Sequence, residues 1–563
     1  MISSFLKNHW GIILSGLILT ALISSPLIVF PWRAGEAYKG INIHHGFNDH
    51  EYLMRGKDAL EGHGLGNPAM REGKDKPDYY FTINEYALVL PVRALGLADR
   101  VNIATLYGVY NFIGVFLLIL LIYFFTLRLK RDKLLALTAS LFVVGGYTIV
   151  VWHTLFYPEL NIYGRAMYPY LISLAFFSYL ILLHRALKSA ALKHSLYAGA
   201  VFGLLFYVAF FGWTFALAFN LILFCLFMFS RNWDSAKKVL IISGLGIMLG
   251  AYNLFRLWTF VSSPAGGQFA YFSSAAFSHS PVFTKLGLAA LLLYVLYFVL
   301  NRRFNKKDEN EILILAFILA GWVALNQQVI TGRTIQFNHY YWYFVTPLSI
   351  LFAIYIFWSW IPNQKFKALA SAALMVLVFV NTAVGQYKSV LITWEGRIYE
   401  QNYAPIINAL NKNKTPTVIL AADDNELQSL FAIYTPHDLF WHSFATYNDI
   451  PLERFEDAFF VYTYLNKEAR DDFIGWAPRS EIYKYIEGYN SSLNNDEYRL
   501  ANLSKKYDQL RAKPAGIEKL LAKYGVRYIV WDKNKHPEWD LSSIKNLKEA
   551  AVFNNIYLYK IEN

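Results

Sequence analysis

Apolar runs of about 20 residues recur from the N-terminus to about residue 386, each long enough to cross a bilayer as a helix. Hydrocarbon offers the backbone no hydrogen-bond partners, so such runs fold as helices that satisfy themselves. About eleven spans are expected, near 10–30, 105–127, 134–152, 166–184, 195–210, 213–230, 239–258, 283–301, 311–330, 345–361 and 368–386. Composition agrees: 56% of the 563 residues are hydrophobic and only 16% charged, against about a quarter charged in a soluble domain. From residue 387 onward, charged residues, Asn and Tyr become common and no spanning run remains. The chain therefore divides into a polytopic α-helical membrane domain, 1–386, and a soluble C-terminal domain, 387–563. The first run, Trp10 to Phe30, is too long for a signal-peptide core and reads as a retained span.

Basic residues concentrate in alternate loops: Arg128 to Lys133, Arg185 to His194, Arg231 to Lys238, Arg302 to Lys307, and Lys365 with Lys367. The positive-inside rule places this set in the cytoplasm. The N-terminus is then inside, and 31–104, 153–165, 211–212, 259–282, 331–344 and the C-terminal domain face outward. The net charge of +12 is explained by these loops and does not imply nucleic acid. The single Cys225 lies within a span, which excludes an intrachain disulfide.

The polar groups gather on the outward side. The first outward loop carries His44, His45, Asp49, His50, Glu51, Tyr52 and Arg55, just beyond the first span. Asp49 and Glu51 can serve as a general base toward an acceptor or hold a divalent metal that neutralises a departing phosphate. The structural alternative is a capping box from Asn48 to Glu51, with Asp49 favouring the helix dipole. The histidines, with His63, show no recognised zinc-ligand spacing, which favours a structural role. The second outward loop has one carboxylate, Glu159, near the apolar zone; it is either functional or paired with Arg165. Arg256 and Arg333 lie at outward ends of spans, where a guanidinium can hold a lipid phosphate or snorkel to headgroups. Gly332 allows close backbone approach beside Arg333, and His339 follows in the same loop. The small-residue loop from Ser262 to Pro281 can be a mobile cover or a connector.

In the C-terminal domain, Thr417 to Ala422 and Arg527 to Trp531 read as buried strands and 495–525 as helix, giving an α/β or α+β fold. Asp423-Asp424-Asn425-Glu426 suits a helix start better than a metal site. Asn413, Asn490 and Asn502 begin sequons, which occur often by chance.

The acid, Tyr52, Arg55, a short amphipathic stretch, Gly62 to Gly66, then Asn67-Pro68, resembles the first outward loop of the GT-C superfamily of membrane glycosyltransferases. The segments Leu521 to Asp532 and Val552 to Lys560 are similar to the C-terminal parts of bacterial and archaeal members. Asp49, Tyr52 and Arg55 also echo the first acidic motif of oligosaccharyltransferase catalytic subunits, although His50 stands where Pro often follows the Asp. The resemblance implies an inverting transfer of a sugar from a polyprenyl-phosphate-linked donor to a lipid, glycan or protein acceptor, at the outer face of the cytoplasmic membrane. It implies catalysis by Asp49 and Glu51, substrate contacts from Tyr52, Arg55, Glu159, Arg165, Arg256, Arg333 and His339, and a divalent metal (Mg or Mn) at Asp49 and Glu159. A transporter or lipid flippase is the rival class, but it favours ionisable groups near mid-membrane, whereas the polar groups here cluster on one side. A non-catalytic assembly protein is a third.

Overall fold

The computed structural model describes residues 2–76, 82–263, 278–304, 308–333, 336–422, 424–444, 450–489, 496–513 and 515–562. Residues 264–277 of the small-residue loop, Asp423 and the sequon at Asn490 lie outside them.

The molecule has a polytopic helical membrane domain and a C-terminal domain that contains a β-sheet. Among the described residues, eight helices are long and apolar enough to cross a membrane, and a bent pair makes a ninth. That pair is the expected first span: it bends by 47° between Ser24 and Pro26, where Pro26 cannot continue the hydrogen-bond ladder. The two remaining expected spans are short helices, Lys133–Gly145 and Leu192–Val208. The first stops at Gly145-Gly146 before a further turn, Tyr147–Trp152. The second ends at Ala209, whose extended backbone breaks it from Phe210–Phe229. Eleven expected spans are thus eight or nine long helices plus two short ones.

Membrane helices pack around one aromatic-rich core, where Phe219 stacks on Phe317 and Phe215 on Phe344. Leu192–Val208 and Trp233–Val261 approach closely through small residues: Gly199 and Gly203 receive Leu245 and Leu249 of the other helix, and Gly246 and Gly250 receive the rings of Phe202 and Phe206.

A second core joins the long loop 31–104 to the C-terminal domain, so these segments, far apart in sequence, fold as one body. The loop supplies helices α1 (Phe47–Glu61) and α2 (Asn84–Ala94). After the last membrane helix, Gln364–Ile392, come α3 (Trp394–Glu400) and α4 (Ala404–Leu410), then a five-stranded mixed sheet of order β2-β1-β3-β5-β4. Strand β1 (Val418–Ala421) lies parallel to β2 (Asp438–Leu439) and β3 (Val526–Asp532). Helix α5 (Asn425–Tyr434) connects β1 to β2. Strands β4 (Leu547–Phe553) and β5 (Ile556–Ile561) form an antiparallel hairpin against β3. The helix expected over 495–525 is two helices, Asp496–Arg511 and Gly516–Lys523.

Ion pairs seal the second core. Lys74 lies between Asp58 (3.1 Å) and Asp438 (2.7 Å), and Arg71 also reaches Asp438 (3.2 Å). Within the loop, buried Arg55 pairs with Glu85 at 2.6 Å.

Candidate functional site

Helix α1 opens at Phe47, with Gly46 at its N-cap in a backbone conformation (φ 127°) that only glycine adopts readily. The helix thus starts one residue before Asn48, whose side chain, expected to cap it, lies outside the described residues. Asp49 sits in the first turn, and its Oδ2 accepts from the His45 amide at 3.0 Å. Its Oδ1 faces the loop 153–165, accepting from Arg165 Nε and the Ala166 amide, each at 3.4 Å. The carboxylate is only 3% exposed. Glu51 is buried in the same helix.

The loop that carries Arg165 is fixed by buried amides. Asn111, a lone amide in an apolar span, donates to the carbonyls of Tyr163 (2.7 Å) and Arg165 (2.8 Å). Asn161 accepts from the Tyr163 amide and donates to Val144 O. Gly164 permits the approach to α1, since a Cβ there would stand 3.1 Å from His45 Nε2. Arg165 lies over the Tyr52 ring, 5.7 Å from its centroid. Burial opposes the guanidinium charge, but Tyr52, Tyr343 and Asp49 outweigh it and hold the group above its ordinary pKa.

His339 extends the cluster. Its ring stacks on Phe211 at 4.5 Å and meets Tyr343 edge-on at 5.1 Å. Asp49, Tyr52, Arg165, Tyr343 and His339, from three separate stretches, thus form one connected group at the end of the bundle beneath the C-terminal domain. A cavity of about 40 Å³ reaches Asp49, lined also by Ile23, Leu27, His44, His45 and Leu160.

The other predicted residues sit in different surroundings. Glu159 is exposed and accepts from Trp152 Nε1. Its backbone rests on Gln386 of the last membrane helix. Arg55 is committed to Glu85, Thr82 and Leu65 O. Arg256 donates to Tyr252 one turn away on its own helix. Arg333 is exposed, and its carbonyl accepts from Gln327. Asp424 caps α5 by accepting from Glu426 and Leu427.

Burial keeps three loop histidines neutral near pH 7: it pushes His44 well below its usual value, and His45 and His50 to about 4. His63 pairs with Asp75 at 3.0 Å. Among the described residues, no three His, Cys, Asp or Glu side chains converge as a metal-ligand set. Both Asp49 oxygens are engaged, Oδ2 by the His45 amide and Oδ1 by Arg165 and the Ala166 amide.

Sequence reasoning missed the polar residues that hold the approach to Asp49. Gln401 accepts from the amides of Lys39 (3.0 Å) and Ile41 (3.2 Å) and donates to Ile41 O (2.9 Å). Arg397 donates to His44 O at 2.8 Å while pairing with Glu400 at 2.6 Å. Tyr434 Oη accepts from the Asn42 amide. The C-terminal domain therefore grips the whole segment 39–44 that leads into α1.

No family model and no curated protein matches the chain. Among solved structures, the crystal structure of the Archaeoglobus fulgidus oligosaccharyltransferase in complex with Zn and sulfate aligns with a TM-score of 0.45 and 14% identity, covering 96% of this chain and 72% of that one.

Proposed function

We propose that this protein is a membrane glycosyltransferase that moves a sugar from a polyprenyl-phosphate-linked donor to an acceptor at the outer face of the cytoplasmic membrane. The observation that carries the reading is the meeting of Asp49 and Arg165 at the bundle end, beneath a soluble domain. The pair combines a carboxylate able to orient or deprotonate an acceptor with a guanidinium suited to a phosphate. In the resting pair each neutralises the other. A donor phosphate that draws Arg165 away frees the Asp49 oxygen for the acceptor. Tyr52 supports the guanidinium face, and His339 with Tyr343 forms the aromatic wall. Glu51, Glu159, Arg256 and Arg333 are the next candidates for donor or acceptor contacts. The basic loops at the opposite end support the outward assignment.

The test is sugar transfer by the purified chain from a panel of radiolabelled polyprenyl-phosphate sugars, with Asp49→Asn and Arg165→Lys beside wild type, with and without EDTA. Asp49→Asn, which keeps the size and one acceptor oxygen, is expected to abolish transfer; because it also removes the counter-charge of Arg165, its melting temperature is read alongside to separate lost chemistry from lost fold. Equal transfer by Asp49→Asn would sink the assignment of Asp49. Transfer lost in EDTA and restored by Mg or Mn would show that the reaction needs a divalent metal.

A further inference from the structure

Helix α2 wears its hydrophobicity on the wrong side for water. At 100° per residue, Ile83, Tyr86, Ala87, Leu90 and Ala94 fall on one stripe, and all are exposed. Leu90 is 64% exposed, and Leu95, just past the helix end, 72%. The opposite, buried face holds Asn84 and Glu85 beside Val89 and Val92. A helix on a water-facing surface would carry its polar residues outward.

The position of the stripe says what covers it. The Ile83 amide donates to Tyr207 O at 3.0 Å, and Asn84 Nδ2 donates to Val208 O, so the helix begins at the very end of the membrane helix Leu192–Val208. Soon after Leu95 the chain enters the span Ile103–Leu129, which exposes Val109, Ile113 and Leu117. Arg93 lies at the edge of the stripe, where a cation suits phosphate headgroups, and donates to Ala59 O at the end of α1.

We propose that α2 lies in the membrane interface, its stripe of Ile83, Ala87, Leu90 and Ala94 immersed at the headgroup–acyl boundary of the leaflet on the C-terminal-domain side. The partner is the lipid surface. Because Glu85 on the buried face pairs with Arg55 on α1, the interface fixes the height of the helix that carries Asp49. This placement does not depend on the proposed reaction.

The test uses the full chain in nanodiscs, with Cys225→Ser or Cys225→Ala as background and single cysteines placed by Leu90→Cys, Ala94→Cys and Glu549→Cys. Each is labelled with an environment-sensitive fluorophore. Glu549, exposed on β4, reports water. Labels at 90 and 94 are expected to emit to the blue of that at 549, to be quenched by lipids brominated near the headgroup, and to resist aqueous iodide by about threefold or more. Iodide quenching equal to that at 549 would overturn the proposal. So would protection from iodide without quenching by lipid, because that pattern means protein covers the stripe. Two sites on one face keep the test valid if either variant folds poorly.

Discussion

Removing the Arg55 charge tests whether that residue builds the site or touches substrate. Arg55 and Glu85 side chains are 4% and 1% exposed, with 2.6 Å between Nε and Oε1. Arg55 also reaches Thr82 and Leu65 O, and Thr82 in turn donates to Glu85 at 3.0 Å. Arg55→Met keeps the apolar stem but leaves a carboxylate buried beside a single hydroxyl, a change that costs about 3–5 kcal/mol. Glu85→Leu strands the guanidinium and costs a similar amount. The double variant replaces the pair with apolar groups of similar size and should return to within about 1–2 kcal/mol of wild type. Thermal unfolding of the four proteins in nanodiscs closes the cycle: both singles should melt several degrees low, and the double should recover most of the loss. Additive losses, with the double lowest, would refute the reasoning. Transfer activity read on the same proteins separates the roles. If the double variant regains stability but not transfer, Arg55 contacts substrate itself.

Two further outcomes follow from packing and burial. Burial raises the Glu400 carboxyl to about 7, with Arg397 pulling down, Glu426 pushing up and Lys535 pulling down. The folded state then keeps a proton that the unfolded chain releases near 4.5, so stability should fall as pH rises from about 4.5 to 7 and level off above. Glu400→Gln should flatten that slope in melting temperature, and an unchanged slope would locate the proton elsewhere. In the membrane, a Cβ at Gly246 would run into the Phe202 ring, whereas one at Gly244 meets nothing within 4 Å. Gly246→Leu should therefore destabilise the protein by about 1–3 kcal/mol, and Gly244→Ala should be neutral or slightly stabilising. Equal melting of the two variants would remove the close helix crossing.

Membrane helices were legible because hydrocarbon imposes one rule on every segment, and the apolar runs at 105–127, 213–230 and 368–386 could obey it in only one way. Their breaks were harder to see. Ala209 ends a helix because the chain turns there, not because alanine disfavours helix. The β4–β5 hairpin had a local signal: Asn554-Asn555, both with positive φ, suit a two-residue turn between alternating strands. Asp49 and Arg165 were readable as candidates because charge at a membrane surface needs a reason. That Arg55 would turn inward was not readable, since its partner lies 30 positions on, beyond residues with no periodic pattern.

The C-terminal domain bears on the candidate site through its grip on segment 39–44, although none of its residues joins the Asp49 cluster. Gln401 reaches Ile41 across 360 positions, and Arg397 reaches His44 across 353. These bonds satisfy main-chain groups that an irregular buried segment would otherwise leave unpaired, at about 1–3 kcal/mol each. Asp49 takes its orientation from the His45 amide, one residue past the Arg397 contact. The carboxylate is therefore held from the tail through His44 and His45, from the bundle through Arg165 and Asn111, and from α2 through Arg55. A membrane domain alone would leave the first of these three supports missing, and α1 would be free to tilt about Gly46. The C-terminal domain thus helps to hold the Asp49 carboxylate in its orientation, and the fusion of its core with the loop 31–104 is the structural sign of that support.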